Sequence, residues 1–127
     1  MSVEKYLVKA GAVKGYSPAN HHHTVNSRLI GRDNVGARNL EVVLGVMERG
    51  PGALPHAHPE LEQVCYLLEG RAHVTVNDAA FDMEPGDCCF FPAKAKHSFV
   101  VTSEGTTRVL VIYSPPYEEN PRHVSLD

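Results

Sequence analysis

Short runs of alternating apolar and polar residues follow one another along most of the chain, separated by Gly-Pro, Glu-Gly and Asn-Asp turns. Alternation with a period of two is typical of half-buried β-strands. Many short strands at this spacing favour an all-β sandwich or barrel. One short helix is expected, over Val3–Ala10. The pattern predicts eight strands: Val25–Gly31, Leu40–Met47, Gln63–Leu68, Arg71–Asn77, Ala80–Met83, Cys88–Phe91, Ser98–Ser103 and Arg108–Tyr113.

The 127 residues fit one domain and leave no room for a second. The strand pattern places the barrel at residues 25–114. An N-terminal arm, residues 1–24, precedes it. A proline-rich polar tail, residues 115–127, follows and is expected to be an irregular strap or a frayed end.

Composition excludes several classes of protein. The formal net charge is −3, which argues against nucleic-acid binding through a basic surface. No run of 18 apolar residues exists, so a membrane span is not expected. The three cysteines (Cys65, Cys88 and Cys89) form no CxxC motif, and their odd number argues against a disulfide scaffold. These observations favour a reducing compartment, and we expect a cytoplasmic protein.

Histidine is the unusual feature, with eight residues in a short chain. His56 and His58 are two residues apart, so on a strand they project from the same face. Gln63 follows across a predicted turn, and His97 supplies a third imidazole from a later segment. Three imidazoles and one oxygen donor suit Zn, Fe, Ni, Mn or Cu rather than Ca. The sequence therefore predicts a divalent transition-metal site at His56, His58, Gln63 and His97.

The segments that carry these residues resemble the paired motifs of the cupin superfamily. The first motif is a glycine, five residues, HxH, three or four residues, a glutamate, six residues and a glycine. Gly50 to Gly70 reproduces that spacing, and Gly86, Pro92 and His97 reproduce the second motif. The resemblance covers about Leu40 to Tyr113. It implies a double-stranded β-helix, or jelly-roll barrel, with a metal ion in its mouth.

The chain departs from the usual motifs at three positions. Gln63 stands where cupins usually carry glutamate, Lys94 replaces a glycine, and Val101 replaces an asparagine. Glu62 is a rival metal ligand, because it satisfies the shorter variant of the first spacing. Gln63 is favoured, because it keeps six residues before Gly70 and strand alternation turns only one of the two inward. The other two departures are expected to alter the local backbone more than the chemistry.

A glutamine ligand has a chemical consequence. Neutral imidazoles and a neutral amide leave a divalent ion its full charge of +2, which makes it a stronger Lewis acid towards anionic groups. The string from Glu62 to Tyr66 is similar to that of small pectin-degradation cupins that linearise unsaturated uronates. The chain is therefore expected to be an isomerase or lyase acting on a small anionic metabolite. An iron or copper dioxygenase and a non-catalytic small-molecule binding module are the alternatives.

The sequence identifies no catalytic base, although Cys65, Tyr66 and His21–His23 are candidates. The partners expected are a small anionic ligand and a second copy of the chain, with no nucleic acid and no membrane. Small cupins commonly cover their sheet edges by dimerising through N-terminal strands, so the arm of residues 1–24 is expected to form a homodimer contact.

Overall fold

Eight β-strands form the body of the protein in the computed structural model, which describes residues 3–18, 23–52 and 55–118. Each predicted strand is present, and the observed ends differ from the predicted ones by at most two residues. The strands are β1 (Thr24–Ile30), β2 (Glu41–Met47), β3 (Glu62–Glu69), β4 (Ala72–Val76), β5 (Ala79–Met83), β6 (Cys88–Phe91), β7 (His97–Val101) and β8 (Thr107–Ser114).

The strands form two antiparallel sheets. The larger has the order β1-β2-β8-β3-β6, and the smaller has the order β5-β4-β7. Alternate side chains of each strand point inward, as in β2, whose buried and half-buried residues alternate along its length. The inward side chains form one apolar core, whose most buried members include Val43, Leu61, Leu67, Val74, Phe91 and Val101. The all-β architecture expected from the alternation is thus confirmed.

The turn between β3 and β4 depends on a glycine. Gly70 has a φ of +91°, a backbone conformation that side chains of L-residues rarely adopt. A Cβ atom at this position would lie 2.1 Å from Oγ1 of Thr107, which is fully buried. The backbone therefore approaches β8 more closely than any other residue type would allow.

The prediction of a helix over Val3–Ala10 was wrong. Two single turns of 3-10 helix, Val3–Lys5 and Ala10–Ala12, are present instead. A segment this short loses more in chain entropy than a few helical hydrogen bonds return. The only α-helix in the described residues is α1 (Arg32–Val35), which the sequence did not predict. Within those residues, no helix is long and apolar enough to cross a membrane.

The N-terminal segment ends against the edge of the larger sheet. Tyr16 and Asn26 of β1 form an isolated antiparallel bridge, with N···O distances of 2.8 and 2.7 Å. The Arg28 guanidinium lies over the Tyr16 ring, 5.2 Å from its centroid, and donates a hydrogen bond to its hydroxyl. This segment thus covers part of the exposed β1 edge within the same chain.

Candidate metal centre

Backbone hydrogen bonds bring the three predicted histidine ligands together. His56 and His97 form an antiparallel bridge, in which each backbone N–H donates to the carbonyl of the other, at 3.0 and 2.7 Å. The backbone N–H of Lys94 donates to the carbonyl of His58 at 2.8 Å. The loop that carries the HxH pair is therefore bonded to the β6–β7 connection at two points. Neither loop alone would hold its imidazoles in place.

The three imidazoles form a compact cluster. Their ligand nitrogens all lie within 4.8 Å of one another. His58 and His97 are buried, and His56 is half-buried. The ring centroids are 4.5 Å apart for His56 and His97 and 5.0 Å apart for His56 and His58. Imidazole nitrogens at these separations are compatible with one divalent ion.

The surroundings of His97 determine which of its nitrogens faces the cluster. Nδ1 lies 3.2 Å from the carbonyl oxygen of Ala95, so Nδ1–H donates and Nε2 keeps its lone pair. Phe91 stacks on the ring at 4.0 Å between centroids, which fixes its plane. Burial, and then the neighbouring His56 and His58, lowers the pKa of His97 to about 3. This imidazole is neutral at physiological pH, as a metal ligand must be.

Gln63 lies inside the barrel, and Glu62 lies outside it. Glu62 is exposed, whereas Gln63 is only 7% exposed, as strand alternation requires. The Gln63 amide Nε2 donates to the Cys65 sulfur at 3.4 Å, which leaves Oε1 as the atom available to a ligand. Within the described residues, Gln63 Oε1 and His97 Nε2 are buried without a hydrogen-bond partner. Burying an acceptor atom without a donor costs free energy, and a bound cation removes that cost by accepting the lone pair. The residues present therefore fit a divalent ion.

Lys94 adopts a left-handed backbone conformation, which suits the glycine that is usual at this position. Its φ is +72°, the left-handed conformation that glycine adopts without a steric penalty. The backbone N–H groups of Lys94 and Ala95 donate to the carbonyls of His58 and Pro92, and the effect of this departure on the local backbone stays a prediction. A lysine in this conformation costs about 1 kcal/mol relative to glycine. The side chain itself is exposed.

A cavity of about 60 Å³ adjoins the cluster. It is large enough for several water molecules or a small ligand. Among the described residues that line it, none is a lysine, arginine, aspartate or glutamate. The wall therefore supplies only neutral polar groups and apolar surface to a ligand. Side chains of the wall include Asn26, Met47, His56, Gln63, Cys65, Phe91, His97, Phe99 and Tyr113.

The three candidate bases differ in position. Cys65 is buried and lines the cavity, but its hydrogen bond with Cys89, followed by burial, raises its pKa well above the usual value. It is therefore a protonated thiol rather than a base. Tyr66 is 39% exposed on the outer face of β3, so its candidacy was wrong, because alternation turns it away from Gln63 and Cys65. His23 is exposed and does not line the cavity, and His21–His22 lie outside the described residues.

Sequence reasoning missed two residues that position the tail beside the histidine cluster. Tyr117, in the tail that was expected to be an irregular strap or a frayed end, is 6% exposed and packs on His58 with 4.9 Å between ring centroids. Glu41 is fully buried, bonds Arg28 at 2.5 Å and accepts a hydrogen bond from the backbone N–H of Glu118. The hydrogen bond from Glu118 holds the start of the tail against the barrel, and the ion pair with Arg28 fixes the Glu41 carboxylate. Alternation with Val43 could have placed Glu41 inward, but no local pattern marks Tyr117.

The comparisons with known proteins agree with the geometry. A family model described as a cupin domain matches residues 43–113. The chain belongs to the cupin family. One curated relative is uncharacterised protein MJ1618 of Methanocaldococcus jannaschii, 28% identical over 75 residues. The match covers 59% of this cupin and 60% of that protein, so the chain spans less than two thirds of that relative's length.

Solved structures share the fold of this cupin. KdgF from a Halomonas species superposes with a TM-score of 0.75 at 17% identity, over 89% of this chain and 97% of that one. A cupin-superfamily sugar phosphate isomerase from Silicibacter pomeroyi superposes with a TM-score of 0.71 at 25% identity, over 84% and 74% of the two chains. The cupin β-barrel expected from the motifs is therefore confirmed.

Proposed function

We propose that this cupin is a metal-dependent enzyme that isomerises or eliminates on a small oxygenated, anionic metabolite, such as an unsaturated uronate. The observation that carries the proposal is the buried, unpartnered Oε1 of Gln63 in the cavity that His56 and His97 also line. We propose His56, His58, Gln63 and His97 as the ligands of a Zn, Fe, Ni, Mn or Cu ion. A bound divalent ion would supply Lewis-acid polarisation of a carbonyl or carboxylate.

The chain's own residues support this chemistry through their lack of charge. None of the four proposed ligands brings a negative charge, and the described cavity wall contains no acidic side chain. An anionic substrate oxygen is therefore not repelled by the site. Two of the structures most similar in fold belong to KdgF and to a sugar phosphate isomerase, and the second name describes an isomerase of a small anionic sugar.

We assign proton transfer to Tyr113. It lines the cavity and is the cross-strand neighbour of Gln63 on β8. The other ionisable side chains of the described wall are the histidines proposed as ligands and the protonated thiol of Cys65. The Tyr113 ring packs against His58 at 5.7 Å and against Tyr117 at 5.1 Å between centroids, which fixes its position. A positioned phenol can donate a proton or return it within hydrogen-bond reach of a substrate.

Three assays on the metal-loaded protein test the proposal against its alternatives. Incubation with an unsaturated uronate should consume the conjugated double bond, measured by ultraviolet absorbance, and Tyr113→Phe should keep its metal and lose turnover. Oxygen uptake with a catechol would instead establish a dioxygenase. Tight binding of the uronate without conversion would establish a binding module.

We also propose a homodimer, with a second copy of the chain on the outer face of the larger sheet. A solvated face should alternate towards polar residues, but this one is apolar. Tyr66, Leu68 and Phe90 on this face are 39%, 46% and 50% exposed. The outer patch consists of Val42, Leu44, Val64, Tyr66, Leu68, Phe90, Leu110 and Ile112.

The size of the outer patch suits a protein interface. The outer patch lies on four neighbouring strands, β2, β8, β3 and β6, about 4.8 Å apart, and extends over at most about five residues of each, so it covers an area on the order of 300 Å². Monomers rarely expose larger apolar patches, and a standard interface buries about 800 Å² per partner, so surrounding polar residues would complete it. Because Tyr16 already covers part of the β1 edge within the same chain, the patch takes the place of the arm as the main contact.

Light scattering with size-exclusion chromatography tests the assembly. Tyr66→Lys should convert the dimer to a monomer, since a buried unpaired charge destabilises an interface. Thr75→Lys, on the outer face of the smaller sheet, is the matched control and should leave the dimer intact. A dimer that survives Tyr66→Lys would place the contact elsewhere.

A further inference from the structure

A buried amide on the larger sheet lines the cavity, whereas His97 belongs to the smaller sheet. Asn26 of β1 is 9% exposed and points inward, as Thr24 does two residues earlier. It lines the same cavity as His56, Gln63 and His97. Its backbone is fixed by the two hydrogen bonds with Tyr16, so the position of this side chain on the wall is well defined.

The fold leaves space beside the Asn26 amide. A Cβ atom on Gly45, its neighbour on β2, would lie 3.3 Å from the Asn26 Oδ1, so a larger residue there would crowd the amide. The hydrogen bonds that Asn26 makes with the described residues are the two through its backbone. An amide offers two donors and an acceptor oxygen. A ligand in the cavity that Asn26 lines can form hydrogen bonds with these groups.

The distance across the cavity limits the size of such a ligand. Asn26 belongs to the larger sheet and His97 to the smaller one. Facing sheets pack about 10 Å apart, and the inward side chains of Asn26 and His97 occupy part of that distance, so a ligand between the two walls is short. The described wall has no cationic side chain that could pair with a second negative group. The group that reaches Asn26 is therefore uncharged.

We propose that Asn26 is a specificity-determining residue that hydrogen-bonds a neutral carbonyl or hydroxyl group at the end of the ligand remote from the histidine cluster. The ligand class is a short oxo or hydroxy acid with a single anionic group. This inference rests on the proposed function, in which that anionic group lies at the metal. It adds the second contact point, which selects among small acids by the position of an uncharged oxygen.

Two matched acids test the proposal in cobalt-loaded protein. Pentanoate and 4-oxopentanoate have equal chain lengths and differ by one carbonyl group. Binding is measured from the cobalt visible spectrum, and separately from the nitrogen chemical shift of the Asn26 side-chain amide. The wild type should bind 4-oxopentanoate about three- to tenfold more tightly, as one neutral hydrogen bond predicts. Asn26→Leu and Asn26→Ala should reduce that ratio to about one while cobalt content is retained.

Ser27→Ala is the control, because the Ser27 side chain points to the opposite face of β1. It should keep the wild-type ratio. A ratio unchanged in both Asn26 variants would overturn the role of Asn26 and leave the metal function standing. If 4-oxopentanoate shifts the Asn26 amide but not the cobalt spectrum, Asn26 binds the ligand and the proposed metal function is wrong. If neither acid changes either signal, both proposals are wrong.

Discussion

The two ends of the barrel interior are built from the same strands and differ in what those strands carry. At one end, the inward positions of β3, β6 and β7 are Gln63, Phe91 and His97, and polar atoms stay without protein partners. At the other end, the inward positions include Leu67 and Val101, which are fully buried in apolar surroundings. The apolar end stabilises the fold, and that stability allows the other end to keep an unsatisfied polar site.

The largest expected effect is at the polar end. His97→Ala should lower metal affinity by more than 100-fold, because removing a ligand costs more than the 10–100-fold typical of losing a residue that only supports one. His56→Ala and His58→Ala should behave similarly. Metal content after dialysis, measured by inductively coupled plasma mass spectrometry, is the readout. Wild-type metal content in all three variants would disprove the proposed ligand set.

At the apolar end, the effect should be on stability alone. Leu67→Ala should lower the free energy of unfolding by about 2–5 kcal/mol, because Leu67 is fully buried and the substitution leaves a cavity. Chemical denaturation of the metal-free protein measures it. The control is Leu40→Ala, whose side chain is 42% exposed and lies outside the outer patch, and it should cost much less. Equal losses in the two variants would contradict the burial assigned to Leu67.

The acid sensitivity of the metal-free protein should come partly from the polar end. Unfolding returns the pKa of His97 from about 3 to its ordinary value of about 6.5. Between these values the unfolded chain binds a proton that the folded protein does not. The His97 contribution to stability is therefore fully present above pH 6.5 and decreases as the pH falls towards 3. Between pH 7.5 and pH 5 the loss should be about 2 kcal/mol.

Urea denaturation of the metal-free wild type and of His97→Ala, at both pH values, isolates that contribution. The variant should lose less stability on acidification than the wild type. Identical pH dependence would mean that His97 is protonated in the folded protein, or that its burial does not disfavour the charge.

The smallest effect expected on metal content distinguishes two adjacent residues of β3. Gln63→Glu should keep or raise metal affinity, because a carboxylate binds a divalent ion more strongly than an amide. It should lower turnover of an anionic substrate, since the site then stabilises negative charge less. Glu62→Gln should change neither quantity, because Glu62 is exposed. If Glu62→Gln lost metal and Gln63→Glu did not differ from the wild type, the ligand would be Glu62.

Local pattern was sufficient to predict the strands and the paired metal motifs. The alternation of β2 and β8 depends on which side chains avoid water, a property of short segments that the residue types reveal. The same alternation distinguishes Gln63 from Glu62 once β3 is recognised. His56 and His58 lie in a loop, where an isolated bridge from His56 to His97 takes the place of the expected strand. The local pattern was less informative for the N-terminal segment, where short-range preferences are weak and two single 3-10 turns replace the expected helix.

Tertiary structure alone decided what surrounds the histidines. Tyr117 reaches His58 because the buried Glu41 anchors the backbone of Glu118, and these residues are far apart in sequence. Asn26 faces the cavity because a bridge to Tyr16 and the small Gly45 place it there. Such contacts depend on the register of several strands at once and on where the loops return. No single segment contains that information, because the chain's long-range pairings are set by the packing of the whole core.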